Sequence, residues 1–282
     1  MWIWLVIGSA LFLGLYDVCK KQALKKNSVM TVLLVTTALS TALLIPWFKP
    51  CDGAGLARLA FKAVLVSCSW ISGLAAMKLV PLSTVSTLKA SRPVFVLLLS
   101  ILIFAEKLNA LQWAGSIAAI AAIFLLSRAS RKEGIVFTRN RGIFYMALSI
   151  LSGVASALYD KYILGFMDPL VVQCWTNLFI TAILAAVMIV QQIAGKEDFR
   201  KTKPDWILAA TAVLITLADF LYFKALSTDG ALLSVISMVR RSCVIVPFIF
   251  GALLWKEKNI RGKAAALAVM LAGIALITLG TI

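Results

Sequence analysis

Arg240 and Arg241 stand in the middle of "SVISMVRRSCVIVPFIFGALLW", residues 234–255, an apolar run long enough to cross a bilayer. A cation at that depth costs on the order of 3 kcal/mol to insert. Lys89 and Arg92 pose the same problem inside the apolar stretch Leu82–Phe104. Their spacing of three places both on one face of a continuous helix. Such cations are tolerated when paired inside the protein or when they face a wet cavity, because neither side chain reaches water from the bilayer centre. The carboxylates within the apolar blocks are Asp17, Asp160 and Asp219, and only Asp219 lies near the middle of its block. One deep carboxylate does not neutralise four deep cations, so an anionic ligand is the expected counter-charge. The planar guanidinium fork suits phosphate or carboxylate oxygens.

Lys89, Arg92, Arg240 and Arg241 are therefore the candidate substrate-binding residues. Ser83, Ser86, Ser234, Ser237, Asp219 and Tyr222 are candidates for lining the cavity, although serines also permit close helix packing. Asp17 and Asp160 are candidates for coupling or gating, with anchoring of helix ends as the plainer role. Glu106 and Glu257, each followed by lysine, read as interfacial ion pairs or helix-end charges.

The elements that must hold these residues follow from the hydropathy. Of 282 residues, 62% are hydrophobic, and they fall in ten long blocks, from Trp2–Cys19 to Ala264–Ile282. The fourth block is Leu82–Phe104 and the ninth Ala231–Trp255. Blocks of that length and purity predict an all-α, polytopic membrane protein with ten transmembrane helices and no soluble domain. The first block runs into lysines without a small-residue cleavage site, so it reads as a retained helix.

A net charge of +16 would suit nucleic acid in a soluble protein. Here the cations sit mainly in short connections such as "KKQALKK" and "SRASRKEG", which points to topology and lipid contact, and nucleic acid is not an expected partner. The bias toward connections after odd-numbered helices places both termini outside the cytoplasm. Five scattered cysteines and no histidine give no metal spacing, no cofactor site and no catalytic constellation.

The chain also repeats itself. "LYD" occurs at Leu15–Asp17 and at Leu158–Asp160, and "EK" at Glu106 and at Glu257. The second shift lays "STVSTLKAS" (Ser83–Ser91) over "SVISMVRRS" (Ser234–Ser242), with Lys89 over Arg240. Two five-helix halves, 1–134 and 135–282, follow. Five being odd, the second half enters the membrane the other way up, an arrangement typical of secondary transporters.

The layout and the stretch "AEKLNALQWAG" after the fourth helix resemble the drug/metabolite transporter superfamily, in particular its ten-helix EamA-type members. Within that likeness, "LKASRPVF" (Leu88–Phe95) and "SMVRRSCVIV" (Ser237–Val246) are similar to fourth- and ninth-helix segments of the plastid sugar-phosphate/phosphate translocators. The likeness implies that Lys89, Arg240 and Arg241 hold a phosphate. Arg240 stands where those proteins have lysine, and Arg92 where they are usually acidic. The superfamily's usual drawing, with both termini inside, opposes the charge bias.

The expected function is alternating-access transport of a small organic anion or phosphorylated metabolite by antiport or ion coupling, in a bacterial inner (plasma) membrane, and not an enzymatic activity. The alternatives are a proton-coupled exporter of amino acids or cationic compounds and an intramembrane enzyme acting on a lipid-linked phosphate. Partners are the solute and membrane lipids, with a homodimer left open.

Overall fold

The computed structural model describes residues 2–104, 108–132, 134–163, 165–194, 206–226, 239–255, 257 and 259–280. Ser234, Ser237 and Glu106, singled out above, lie outside the described residues. Eleven α-helices carry almost everything described: α1 (Trp2–Ala23), α2 (Val29–Leu44), α3 (Gly53–Leu79), α4 (Leu82–Ala90), α5 (Arg92–Phe104), α6 (Ala110–Arg131), α7 (Arg141–Ile163), α8 (Pro169–Ile193), α9 (Trp206–Leu226), α10 (Ile245–Leu254) and α11 (Ile260–Leu279). Among the described residues, seven helical stretches are long and apolar enough to span a bilayer, where ten were expected from the sequence. Lipid accepts no unpaired backbone group, which is why the apolar segments are helical. Large side chains such as Phe124, Ile193 and Leu253 stay exposed on the outside. Helix starts are built locally. Asn109 and Gln112 form a reciprocal capping box at α6, and the Asp168 carboxylate accepts the Leu170 amide at 2.8 Å ahead of Pro169.

The fourth predicted helix is not continuous, and this corrects the expectation. Pro93 has no N–H and its ring opposes the carbonyl four residues back, so the helix breaks just before it. At the break the Ser91 amide bonds to the Leu88 carbonyl at 3.1 Å, and the Ser91 hydroxyl donates to the same oxygen at 2.7 Å. Lys89 thus ends α4 and Arg92 begins α5, instead of sharing one helix face. The same device recurs 151 residues on. The Ser242 hydroxyl donates to the Val239 carbonyl at 2.6 Å, a 3-10 turn covers Ser242–Val244, and α10 follows with Pro247 in its first turn.

Helix partners are set by long lateral contacts: α1 runs along α9, α3 along α7, and α6 along α11. Mapping the first half onto the second, helix for helix, turns the first pair into the second and returns the third to itself. At the α6–α11 crossing a Cβ on Gly115 would lie 2.5 Å from the Gly273 carbonyl oxygen, and one on Gly273 2.7 Å from that of Gly115. Only glycine lets the two backbones touch. Gly115→Ala is expected to cost about 1–3 kcal/mol, because backbone and not a flexible side chain must yield. Gly53→Ala, with nothing within 4 Å of its Cβ, is the control. Melting temperatures of the two purified variants check this.

Lys20, Lys21, Lys62 and Lys263, at or near the edges of apolar blocks, lie within helices. α1 continues through Lys20 and Lys21, α3 begins early enough to contain Lys62, and α11 contains Lys263. Lys21 donates to the carbonyls of Met77 and Val80, the latter at 3.1 Å, at the end of α3. Each of these cations therefore has a place in the packing, and none simply marks a side of the membrane.

Candidate functional site

The two helix breaks point at one interior space. Two adjoining cavities share Tyr16, Trp70 and Ile215 as a common wall. The smaller, about 210 Å³, lies against both breaks, with Lys89 and Arg92 from the first and Arg241, Cys243 and Val244 from the second. Glycines on the first helix of the opposite half let each break come close. A Cβ on Gly153 of α7 would lie 2.5 Å from the Arg92 guanidinium carbon, and one on Gly14 of α1 would lie 2.7 Å from the Cys243 carbonyl oxygen.

Charge is distributed unevenly around this smaller cavity. Among the described residues Lys20, Lys89, Arg92 and Arg241 line it together with a single carboxylate, Asp17, a formal excess of three positive charges. Lys89 is paired with Asp17 at 2.8 and 3.0 Å. Lys20, buried, sits 4.0 Å over the Tyr16 ring and 5.5 Å from that of Trp70, where the ring quadrupoles attract it. Arg92 donates to two neutral oxygens, the Ser69 hydroxyl at 3.2 Å and the Ser149 carbonyl at 3.3 Å. Its buried Nε has no hydrogen-bond partner. Among the described residues neither Arg92 nor Arg241 has a carboxylate within ion-pair distance.

The larger cavity, about 400 Å³, lies between the carboxy-terminal half of α2, the amino-terminal half of α3, the end of α7, the start of α8 and α9. Its charges balance. Lys62 pairs with Asp160 at 2.6 Å, and Asp219 pairs with Arg240, whose guanidinium also lies 4.1 Å over the Tyr222 ring. The remaining wall is rich in hydroxyl and amide groups. Ser40 reaches Thr216 at 3.3 Å and Asn177 at 3.5 Å, and Gln173 reaches Asp219 at 3.4 Å.

Of the residues predicted from the sequence, Lys89, Arg92, Arg241 and Asp17 meet in the smaller cavity, and Asp160, Asp219 and Tyr222 in the larger. Arg240 lies beside the larger one through Asp219 and Tyr222. Ser83 and Ser86 line neither. Both are fully buried, Ser86 donating to the Ser83 carbonyl at 3.0 Å and Ser83 to the Glu257 carboxylate, so they serve packing and capping. The reading that one deep carboxylate faces four unpaired cations is corrected as well, since Asp17 and Asp219 each hold one. Sequence reasoning missed Lys20, Lys62 and the polar stripe. Its signal was present: Lys20 follows Asp17 by three, Thr36 precedes Ser40 by four, and Gln173 precedes Asn177 by four, each a same-face spacing within an apolar helix.

The model of a known family, described as the EamA-like transporter family, matches residues 1–128 and 140–279. No curated protein matches the sequence. Among the solved structures that match, one described as "Crystal structure of protein" superposes with a TM-score of 0.60, over 96% of this chain and 98% of that one, at 13% sequence identity. That likeness shows a shared fold.

Proposed function

The chain belongs to the EamA-like transporter family and is an integral membrane transporter, and we propose that its cargo is a small organic anion whose charged group sits in the smaller cavity. The observation that carries this is the pair Arg92 and Arg241, lining one cavity without a described carboxylate partner. Two cations without carboxylates at membrane depth are costly unless water or something anionic reaches them. Arginine offers the bidentate geometry that phosphate and carboxylate groups use. The likeness of Leu88–Phe95 and Ser237–Val246 to the phosphate-holding segments of the plastid translocators points the same way.

Alternating access follows from two repeated halves moving about this site. The matching serine-capped breaks at Ser91 and Ser242 support the duplication, since interrupted helices in corresponding positions mark the substrate site of such carriers. A cationic cargo would have to displace Lys62 from Asp160 or Arg240 from Asp219, both already paired.

Thermal unfolding of the purified protein against inorganic phosphate, small carboxylates, amino acids and organic cations tests the reading. A ligand that binds only the folded state raises the melting temperature. Stabilisation by phosphate or carboxylates supports it, and stabilisation by cations alone overturns it. Asp219→Asn bears on coupling. As a counter-ion to Arg240, Asp219 should influence affinity and leave any pH dependence of transport in place, whereas transport that becomes indifferent to a proton gradient in this variant would make Asp219 the proton carrier.

A further inference from the structure

Two hydroxyls in the larger cavity have no partner among the described residues. Thr36 is 2% exposed and Thr176 5% exposed. Both line the cavity, and the side-chain oxygen of each is buried without a hydrogen bond. Neighbouring threonines show what such a group does when nothing else calls on it: Thr37 donates to the Leu33 carbonyl at 2.8 Å and Thr181 to that of Asn177 at 2.9 Å. Leaving a buried hydroxyl unmade costs about 1–3 kcal/mol. Turned about χ1 into the cavity, two such groups on facing helices, α2 and α8, would join Ser40, Gln173 and Asn177 on the same wall in a surface for a molecule that brings its own donors and acceptors. The ionic groups at this wall are already paired, so the surface selects for hydrogen bonding and not for charge.

From this we infer that the larger cavity is a second subsite, which holds an uncharged, hydroxyl- or amide-bearing body of the cargo, with Thr36 and Thr176 as its hydrogen-bond partners. The inference rests on the anion reading above, because the shared wall of Tyr16, Trp70 and Ile215 joins this subsite to the cationic one. The cargo is thus bipartite. Its charged group faces Arg92 and Arg241, and its neutral polar body lies between α2 and α8.

Three phosphates of graded chemistry separate the two ideas by equilibrium binding to the purified full chain: inorganic phosphate, glucose 6-phosphate and phosphocholine. The parent protein is expected to bind glucose 6-phosphate at least about tenfold more tightly than inorganic phosphate, and phosphocholine, whose body is cationic, no better than phosphate. Thr36→Val with Thr176→Val should erase that preference, leaving the affinity for inorganic phosphate within about twofold. Thr36→Ser, which keeps the hydroxyl, should retain it. If glucose 6-phosphate and phosphate bind equally to the parent, the subsite is overturned and the anion reading stands. If none of the three binds, the anion reading fails and the subsite falls with it. Valine variants that weaken all three ligands equally, or a Thr36→Ser variant that loses the preference, make these threonines structural and overturn the inference.

Discussion

Arg241→Ala leaves a folded protein that no longer responds to the anion. Among the described residues Arg241 has no ion-pair partner, so truncating it orphans nothing inside the protein. Arg241 is exposed, so little packing is lost and the ligand-free melting temperature holds. Binding suffers, since losing one side of a desolvated charge contact costs about 2–5 kcal/mol, on the order of a hundredfold in affinity. Arg241→Lys keeps the charge without the fork and should fall between. Arg240→Ala behaves in the opposite way, because it strands the Asp219 carboxylate. It is expected to melt early, and Asp219→Asn in the same chain should restore much of the loss. Lys89→Ala strands Asp17 in turn. Melting curves and uptake into substrate-loaded liposomes, measured on the same variants, decide the matter. A stable Arg241→Ala protein that transports at the parent rate would sink the anion site.

That contrast between neighbouring arginines is not legible in the sequence. "VRR" announces two costly cations, and the apolar blocks around it announce a membrane, because hydropathy is a local property. Whether a cation has a counter-charge is not local. Asp17 and Lys89 are 72 residues apart, and only the fold brings them together at the smaller cavity. The break itself was half visible. Pro93 forbids a regular helix through its position, but the unbroken hydropathy of Leu82–Phe104 reads as one span, and a proline in a long apolar helix is often only a kink. A lysine at the edge of an apolar block, such as Lys20 or Lys62, resembles a flank. α1 carries Lys20 inward all the same, where an aromatic ring covers it. The repeated serines at Ser91 and Ser242 show what sequence can give: a short polar residue beside a break, twice at one shift, making the same bond.

Glu257→Ala is expected to destabilise the protein by about 3–5 kcal/mol, among the largest stability effects of any single substitution here. α4 begins behind Pro81, which supplies no side-chain cap, so its first amides need acceptors from elsewhere. The Glu257 carboxylate, arriving from the connection between α10 and α11, accepts the Leu82 amide at 2.7 Å, the Ser83 amide at 3.2 Å and the Ser83 hydroxyl. A negative charge at a helix amino terminus also meets the positive end of the helix dipole. The same carboxylate lies 3.5 Å from the Lys263 ammonium, which is wholly buried, while the Glu257 side chain is 7% exposed. Alanine removes the cap and the Glu257 carboxylate that lies beside that ammonium. Glu257→Gln keeps an oxygen for the amides but no charge for the lysine, so it should recover only part of the loss. Adding Lys263→Met to Glu257→Ala should recover another part, since the buried cation that faced the lost carboxylate goes with it, although the α4 amides stay unmet. The consequence reaches the site, because α4 carries Lys89 in its last turn and a frayed start loosens the position of that ammonium. Anion affinity should therefore fall in Glu257→Ala by less than in Arg241→Ala. Thermal unfolding of the four proteins, with and without phosphate, measures both effects, and a Glu257→Ala protein as stable as the parent would show that the carboxylate neither caps α4 nor offsets Lys263.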